Sequence, residues 1–210
     1  MTESPALVEP TRPLEAFPAV ELPAGRQVAR SHSVAFAPWW FASAPTSGGG
    51  RFDLAAPLGT CYVADTIEAA VRERLRDAIM TAGIVSPRLA DAFAVSLFAT
   101  PRAYHCAHIG LSRAARFGVT RELASLTPSH YHLSRTWAAA FQQAGFEAIR
   151  YGARFTPGPA NAWALFGAAG ARERPRPVID HALTGREACR LSGVRVVPPP
   201  RLSSLTVLGS

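Results

Sequence analysis

An arginine, a tyrosine and a glutamate recur at even spacing in RFDLAAPLGTCYVADTIEAAVRERL, residues 51–75: Arg51, Tyr62 and Glu73. Each type brings a different capacity. A guanidinium is a planar cation that grips phosphate through paired N–H groups. A tyrosine ring is an apolar surface with a polar tip. A carboxylate fixed in place stabilises positive charge that develops in a transition state. Together they could hold a dinucleotide and break a glycosidic bond. The local sequence assigns them to three elements. Glycines 48–50 form a flexible turn that delivers Arg51, and their backbone freedom allows close approach to a ligand. A short strand around Gly59–Ala64 carries Tyr62, and a helix beginning near Asp65 carries Glu73 on its second or third turn.

Arg30 in QVARSHS is a fourth candidate, because an arginine in an apolar, sheet-like segment costs free energy unless it is paired. Residue type alone leaves an alternative open for each. Arg30 could make a structural ion pair and Arg51 a turn pair with Asp53. Tyr62 could be a core aromatic, and Glu73 part of a surface charge cluster with Arg72 and Arg74.

The elements that must position these residues can be read from periodicity. QVARSHS alternates Val28, Arg30 and His32 against Ala29 and Ser31, as a strand does. FAPWWFASAPTSGGG reads as a loop anchored by Trp39, Trp40 and Phe41 that ends in a flexible turn. Asp65 or Thr66 caps a helix expected to run to about Ala82, with its apolar stripe through Ile67, Val71, Leu75, Ala78, Ile79 and Ala82. At about 100° per residue Glu73 falls on the opposite side, so it can act only if the small Ala69 and Ala70 border a cleft. The pattern further predicts a helix over Pro87–Phe98, a strand over Arg102–Ile109 and a helix over Leu133–Ala144 ended by Gly145. Strands follow near Glu147–Tyr151 and Ala162–Phe166, then a short helix over Thr184–Leu191 and a strand at Val194–Val197. These elements follow no regular βαβ cadence, which predicts an α+β fold with a single mixed sheet. The absence of a GxGxxG turn excludes a Rossmann fingerprint. The expected organisation is an irregular Pro-rich N-terminal arm over 1–26, one domain over 27–170, and a C-terminal extension over 171–210 packed on the domain or trailing it.

The 210 residues suffice for one domain that buries roughly 70% of its unfolded surface. Lysine is absent, so all 22 basic residues are arginine, and 15 acidic residues leave a net charge of +7. Much of this reflects a compositional bias towards arginine. The remainder suits a phosphate-bearing substrate or an acidic partner. The charges form no run or aromatic-interleaved stripe, so nucleic acid is not expected. Three cysteines, Cys61, Cys106 and Cys189, have no CxxC spacing and support neither a disulfide framework nor a zinc site. Cys61 is expected as a buried, inert thiol. His130 and His132 are read as polar surface or helix-entry residues, with no metal expected. No apolar run approaches the roughly 20 residues that span a bilayer, and the first residues lack a secretory pattern. A cytoplasmic protein is expected.

With QVARSHS, GGGRFD, GTCYVAD and IEAAVRE, the first half of the chain resembles the RES domain family. HLSRTWAAAFQQAGFEAIRYGARFTPGPANAWALFG, residues 132–167, resembles that family's second half, so the likeness covers most of 27–167. The resemblance implies a fold like that of ADP-ribosyltransferase toxins and an NAD-degrading activity, in toxins of toxin–antitoxin pairs. NAD would be a substrate, no resident cofactor would be needed, and inorganic phosphate or water would take the ribose. By this resemblance Arg30 and Arg51 contact the phosphates or ribose, Tyr62 lies beside the nicotinamide ribose, and Glu73 stabilises the oxocarbenium-like transition state. Arg30 and Glu73 would be catalytic; Tyr151, Arg154 and Asn161 would join the substrate contacts. The family's serine two residues beyond the Tyr of its Gly-Ile-Arg-Tyr strand is here Ala153, so Arg154, Asn161 or Thr156 would have to substitute. Expected partners are an antitoxin protein or a second copy of the chain. Alternative readings are a mono-ADP-ribosyltransferase, or a degenerate NAD-binding module without turnover.

Overall fold

The computed structural model describes residues 7–44, 49–76, 78, 83–171 and 176–198. Its strands are β1 (Ala19–Leu22), β2 (Gln27–Ser33), β3 (Trp40–Phe41), β4 (Leu58–Ala64), β5 (Ile84–Val85), β6 (Phe93–Ala99), β7 (Tyr104–His108), β8 (Ala148–Gly152), β9 (Asn161–Ala168), β10 (Gly170–Ala171), β11 (Ile179–Thr184) and β12 (Arg195–Val196). The helices are α1 (Ile67–Leu75), α2 (Pro87–Asp91), α3 (Tyr131–Gln143) and α4 (Gly185–Leu191), with three 3₁₀ turns between β7 and α3. Eight strands form one sheet in the order β1-β7-β8-β9-β4-β2-β6-β11. Within it β7 and β8 are parallel and the other neighbours antiparallel. The fold is therefore the expected α+β class with one large mixed sheet. Among the described residues no helix is long and apolar enough to cross a membrane.

Both faces of the sheet are covered. On one, α1 and α3 pack over a core that includes Phe52, Leu54, Val71, Trp137, Phe141 and Ile149. The buried positions of α3, among them Ser134, Trp137, Ala138 and Phe141, recur at three and four residues as an amphipathic helix requires. On the other face Trp39 and Phe41 close over Val28, Cys61, Phe98 and Trp163. The anchoring of the aromatic loop thus rests on Trp39 and Phe41. Trp40 is half-buried and stacks on exposed Phe36 at 4.7 Å.

Three segments differ from their sequence readings. The helix expected over Pro87–Phe98 stops at Asp91, and Phe93–Ala99 is instead β6, paired along its whole length with β2. Its apolar residues are buried from both sides of the sheet, so they show neither a helical stripe nor clean alternation. The N-terminal segment read as irregular contains β1, which pairs with β7, and it buries Leu7, Leu14 and Phe17. The C-terminal segment supplies the opposite edge strand, β11, and α4, whose Thr184 and Glu187 form a capping box. The α1 helix begins under a Thr66 cap, with Ala69 N–H donating to Thr66 Oγ1 at 3.1 Å. Its expected continuation through 77 and 79–82 lies outside the described residues, as does Gly48.

One irregularity in the sheet shapes the site. β2 and β4 are neighbours, yet they share a single paired position, Ala29 with Ala64. Beyond it the strands part.

Candidate active site

The gap between β2 and β4 opens into a cleft of about 130 Å³ on the α1 face of the sheet. Its floor is set by register: Ala29 is opposite Ala64, Ala64 opposite Ala162, and Ala162 opposite Tyr151. Because residues two apart share a face, Ser31 and Tyr62 stand beside this row. Glu73 and Arg74 from α1, Arg76 just beyond it, and Arg51 from the preceding loop complete the walls. The evenly spaced trio Arg51, Tyr62 and Glu73 therefore does converge on one cavity, and Tyr151 joins it.

The loop that presents Arg51 is fixed from several sides. Asp53 is almost fully buried; its carboxylate accepts from Gly50 N–H at 2.6 Å and from the Tyr62 hydroxyl at 2.7 Å. The same hydroxyl accepts from Phe52 N–H at 2.8 Å. Ser134 Oγ donates to the Arg51 carbonyl at 2.6 Å, and Arg135 donates to the Gly50 carbonyl through two N–H groups at 3.3 Å. The tyrosine ring lies so close to Gly50 that a Cβ there would collide with it, which accounts for glycine at that position. Asp53 thus pairs with the tyrosine and the turn instead of with Arg51. Burial raises the Asp53 carboxyl above its ordinary range, against the hydrogen bonds from Tyr62 and Gly50 and the charge of Arg135. Burial, with the neighbouring Asp53 charge, keeps the Tyr62 hydroxyl protonated far above its ordinary range.

Arg51 is buried, with its Nε–H directed to the Leu126 carbonyl at 3.5 Å. Among the described residues no carboxylate pairs with Arg51, Arg74 or Arg76. Arg76 donates to the Tyr131 hydroxyl at 3.3 Å, and the Arg51, Arg76 and Arg135 guanidiniums surround the Tyr131 ring at 5.8–6.0 Å. Arg74 is pulled down from its ordinary value by burial, then by the charges of Arg76 and Arg30. Positive charge is therefore in excess here. Among the described residues Glu73 is the sole carboxylate on the cleft wall, and its Oε1 accepts from Phe155 N–H at 3.0 Å. The Tyr151 hydroxyl is raised above its ordinary value by burial, then by the charge of Glu73.

The structure does not bring Arg30 into this cavity. Arg30 projects to the other face of the sheet, where it donates to Cys61 Sγ at 2.7 Å, the Tyr62 carbonyl at 3.1 Å and the Trp40 carbonyl at 2.7 Å. It spans the parted strands from behind and satisfies the Tyr62 carbonyl, which a β2–β4 ladder would otherwise serve. Burial pushes the Cys61 thiol up to about 11, so the sulfur stays neutral. Arg154 is exposed, lies over the Phe155 ring at 5.0 Å, and lines a separate cavity with Arg121 and Ser112. Asn161 is held by Asp65 at 2.9 Å and the Pro159 carbonyl at 3.0 Å. Ala153 bonds across its hairpin to the Ala160 carbonyl at 2.9 Å and does not line the cleft. Neither does Thr156, whose buried hydroxyl has no partner among the described residues. The sequence reading missed Ser31, Arg76 and Ser134 as site residues, and it named Asp53 only as a turn partner of Arg51. Only Asp53 carried a signal, as an acid two residues from Arg51; the others depend on long-range packing.

Comparison with curated proteins gives no match. Among solved structures, a chain of the M. tuberculosis MbcT–MbcA toxin–antitoxin complex is similar, with a TM-score of 0.60 at 13% identity, covering 82% of this chain and 92% of that one. At that identity the likeness establishes the fold. The RES domain profile matches residues 25–184, a span that contains Arg51, Tyr62 and Glu73 and all the strands that floor the cleft, so the chain belongs to the RES domain family.

Proposed function

We propose that this protein is an NAD-consuming enzyme that cleaves the bond between nicotinamide and ribose, as an NAD phosphorylase or glycohydrolase. One observation carries the reading: among the described residues a single carboxylate, Glu73, faces a cavity whose other charged walls are arginines without acidic partners. Arg51 and Arg76 suit the pyrophosphate, where a guanidinium can bond bidentately. Tyr62, held rigid by Asp53 and Phe52, offers its ring to the nicotinamide end. As the C1″–N bond breaks, its electron pair neutralises the pyridinium nitrogen, and Glu73 stabilises the positive charge left on the ribose. The oxygen of water or phosphate then bonds to C1″. The products are nicotinamide with ADP-ribose or its 1″-phosphate, and a proton is released when water attacks.

Membership in the RES family and a fold shared with a chain of a toxin–antitoxin complex favour a toxin whose partner is a cognate antitoxin protein. Incubation of the purified protein with NAD, with and without phosphate, followed by product identification, tests the activity. Free nicotinamide supports it, and ADP-ribosyl-1″-phosphate in the phosphate arm identifies phosphorolysis. NAD bound and left intact would establish a binding module instead, and ADP-ribose attached to protein a transferase.

A further inference from the structure

Ser31 has a hydroxyl that the architecture of the cleft leaves without a partner. Ser31 borders the cavity as a half-buried residue, and its Oγ, almost closed off from solvent, makes no hydrogen bond to any described residue. A buried hydroxyl without a partner forfeits the hydrogen bonds it made in water, so in a native fold such a group calls for a partner from water or from a ligand, and at the edge of a cleft a ligand can supply it. The other hydroxyl closest in the pattern, that of Tyr62, is already used by Asp53 and Phe52.

The surroundings narrow the ligand. Ala29, Ala64 and Ala162 lie side by side across β2, β4 and β9. With adjacent strands about 4.8 Å apart, these methyl groups make a flat apolar strip about 10 Å long. That suits the face of a heteroaromatic ring and offers nothing polar to its edge. Ser31 stands on the same face two residues along β2 from Ala29, beside one edge of the strip. A serine hydroxyl both donates and accepts. It therefore matches a ring substituent that does the same, such as a carboxamide.

We propose that Ser31 recognises the carboxamide of the leaving nicotinamide, with the pyridine ring lying over Ala29, Ala64 and Ala162. This rests on the NAD-cleaving reading. It assigns Ser31 as a specificity-determining contact, and it places the base at the β2–β4 gap with the ribose towards Glu73.

The test compares wild type with Ser31→Ala in NAD turnover and in inhibition by free nicotinamide and by pyridine. Loss of one neutral hydrogen bond should lower kcat/KM for NAD about tenfold and weaken nicotinamide inhibition by a similar factor. Inhibition by pyridine, which has no carboxamide, should be unchanged. The thermal midpoint without ligand should hold or rise, because the variant removes an unpaired polar group. A variant with wild-type kcat/KM and wild-type nicotinamide inhibition overturns the Ser31 assignment and leaves the NAD-cleaving reading standing. Equal weakening of nicotinamide and pyridine overturns it as well, since the carboxamide would not be what is read. A wild type that neither binds nor cleaves NAD overturns the underlying reading, and this inference with it.

Discussion

Ser134 Oγ reaches the carbonyl of Arg51 at 2.6 Å across 83 residues of sequence. It couples the first turn of α3 to the loop that presents the cleft's most buried guanidinium. Its single hydroxyl proton is shared with the Tyr131 carbonyl at 3.1 Å, so it serves the helix and the loop together. Ser134→Ala should leave the Arg51 carbonyl without this donor, at a cost of about 1–2 kcal/mol in denaturant unfolding. In NAD turnover assays it should raise KM several-fold, because the guanidinium loses its fixed position.

Glu73→Gln should lower NAD turnover at least about a hundredfold, as removal of a preorganised electrostatic contact commonly does. The amide oxygen of Gln can still accept from Phe155 N–H, so the thermal midpoint should stay near that of wild type. A variant that unfolds, or that keeps its rate, would count against the assignment.

Tyr62→Phe removes one hydroxyl and strands two buried groups, the Asp53 carboxylate oxygen and Phe52 N–H. The expected cost is about 2–3 kcal/mol in chemical denaturation. Double substitution with Asp53→Asn should recover part of it, since a neutral side chain is easier to leave buried without that donor.

Ala153→Ser should change NAD turnover by less than about twofold. The methyl group lies on the β8–β9 hairpin, outside the cleft, and a hydroxyl there is remote from the site. Initial rates with and without phosphate would check this, and a clear gain in either would place the hairpin in the active site.

Stability should fall as pH drops below about 6.5, the histidine value in an unfolded chain. His32 is lowered in the fold chiefly by burial, with the charge of Arg30 adding to the effect. It sits neutral between Ser96 Oγ at 3.0 Å and the Ser33 carbonyl at 3.1 Å. A depressed folded value means the unfolded chain binds more protons in this window, so acid favours unfolding. His108 is lowered in the same direction by burial and by Arg150. Thermal midpoints across pH 5–8 should slope downward towards acid in wild type and be flatter in His32→Gln.

The trio Arg51, Tyr62 and Glu73 was legible because each residue belongs to a local element with a clear signature: glycines before a turn, a short apolar strand and a capped helix. Arg30 shows where such reading ends. Alternation in QVARSHS places Arg30 opposite Ala29 and Ser31, but β2 is buried on both faces, and nothing in the alternation says which face holds the cleft. Ser31, on the opposite face of the same strand, is the residue that borders the cleft. Phe93–Phe98 misled for a related reason, since a strand covered from both sides loses its period of two. The wheel set Glu73 off the apolar stripe, and the stripe was right as far as Val71 and Leu75. The contact from Phe155, 82 residues away, is what turns the far side of that helix into a wall of the cleft.

The wedge that Arg30 forms between β2 and β4 has a kinetic consequence. Its two terminal nitrogens are bonded to the chain's own sulfur and carbonyls, while Nε has no partner among the described residues, so the strands are held apart whether or not anything occupies the space between them. A visiting molecule then has no opening step to wait for. Its capture should be a single second-order event, with an observed rate that rises linearly with concentration and shows no plateau.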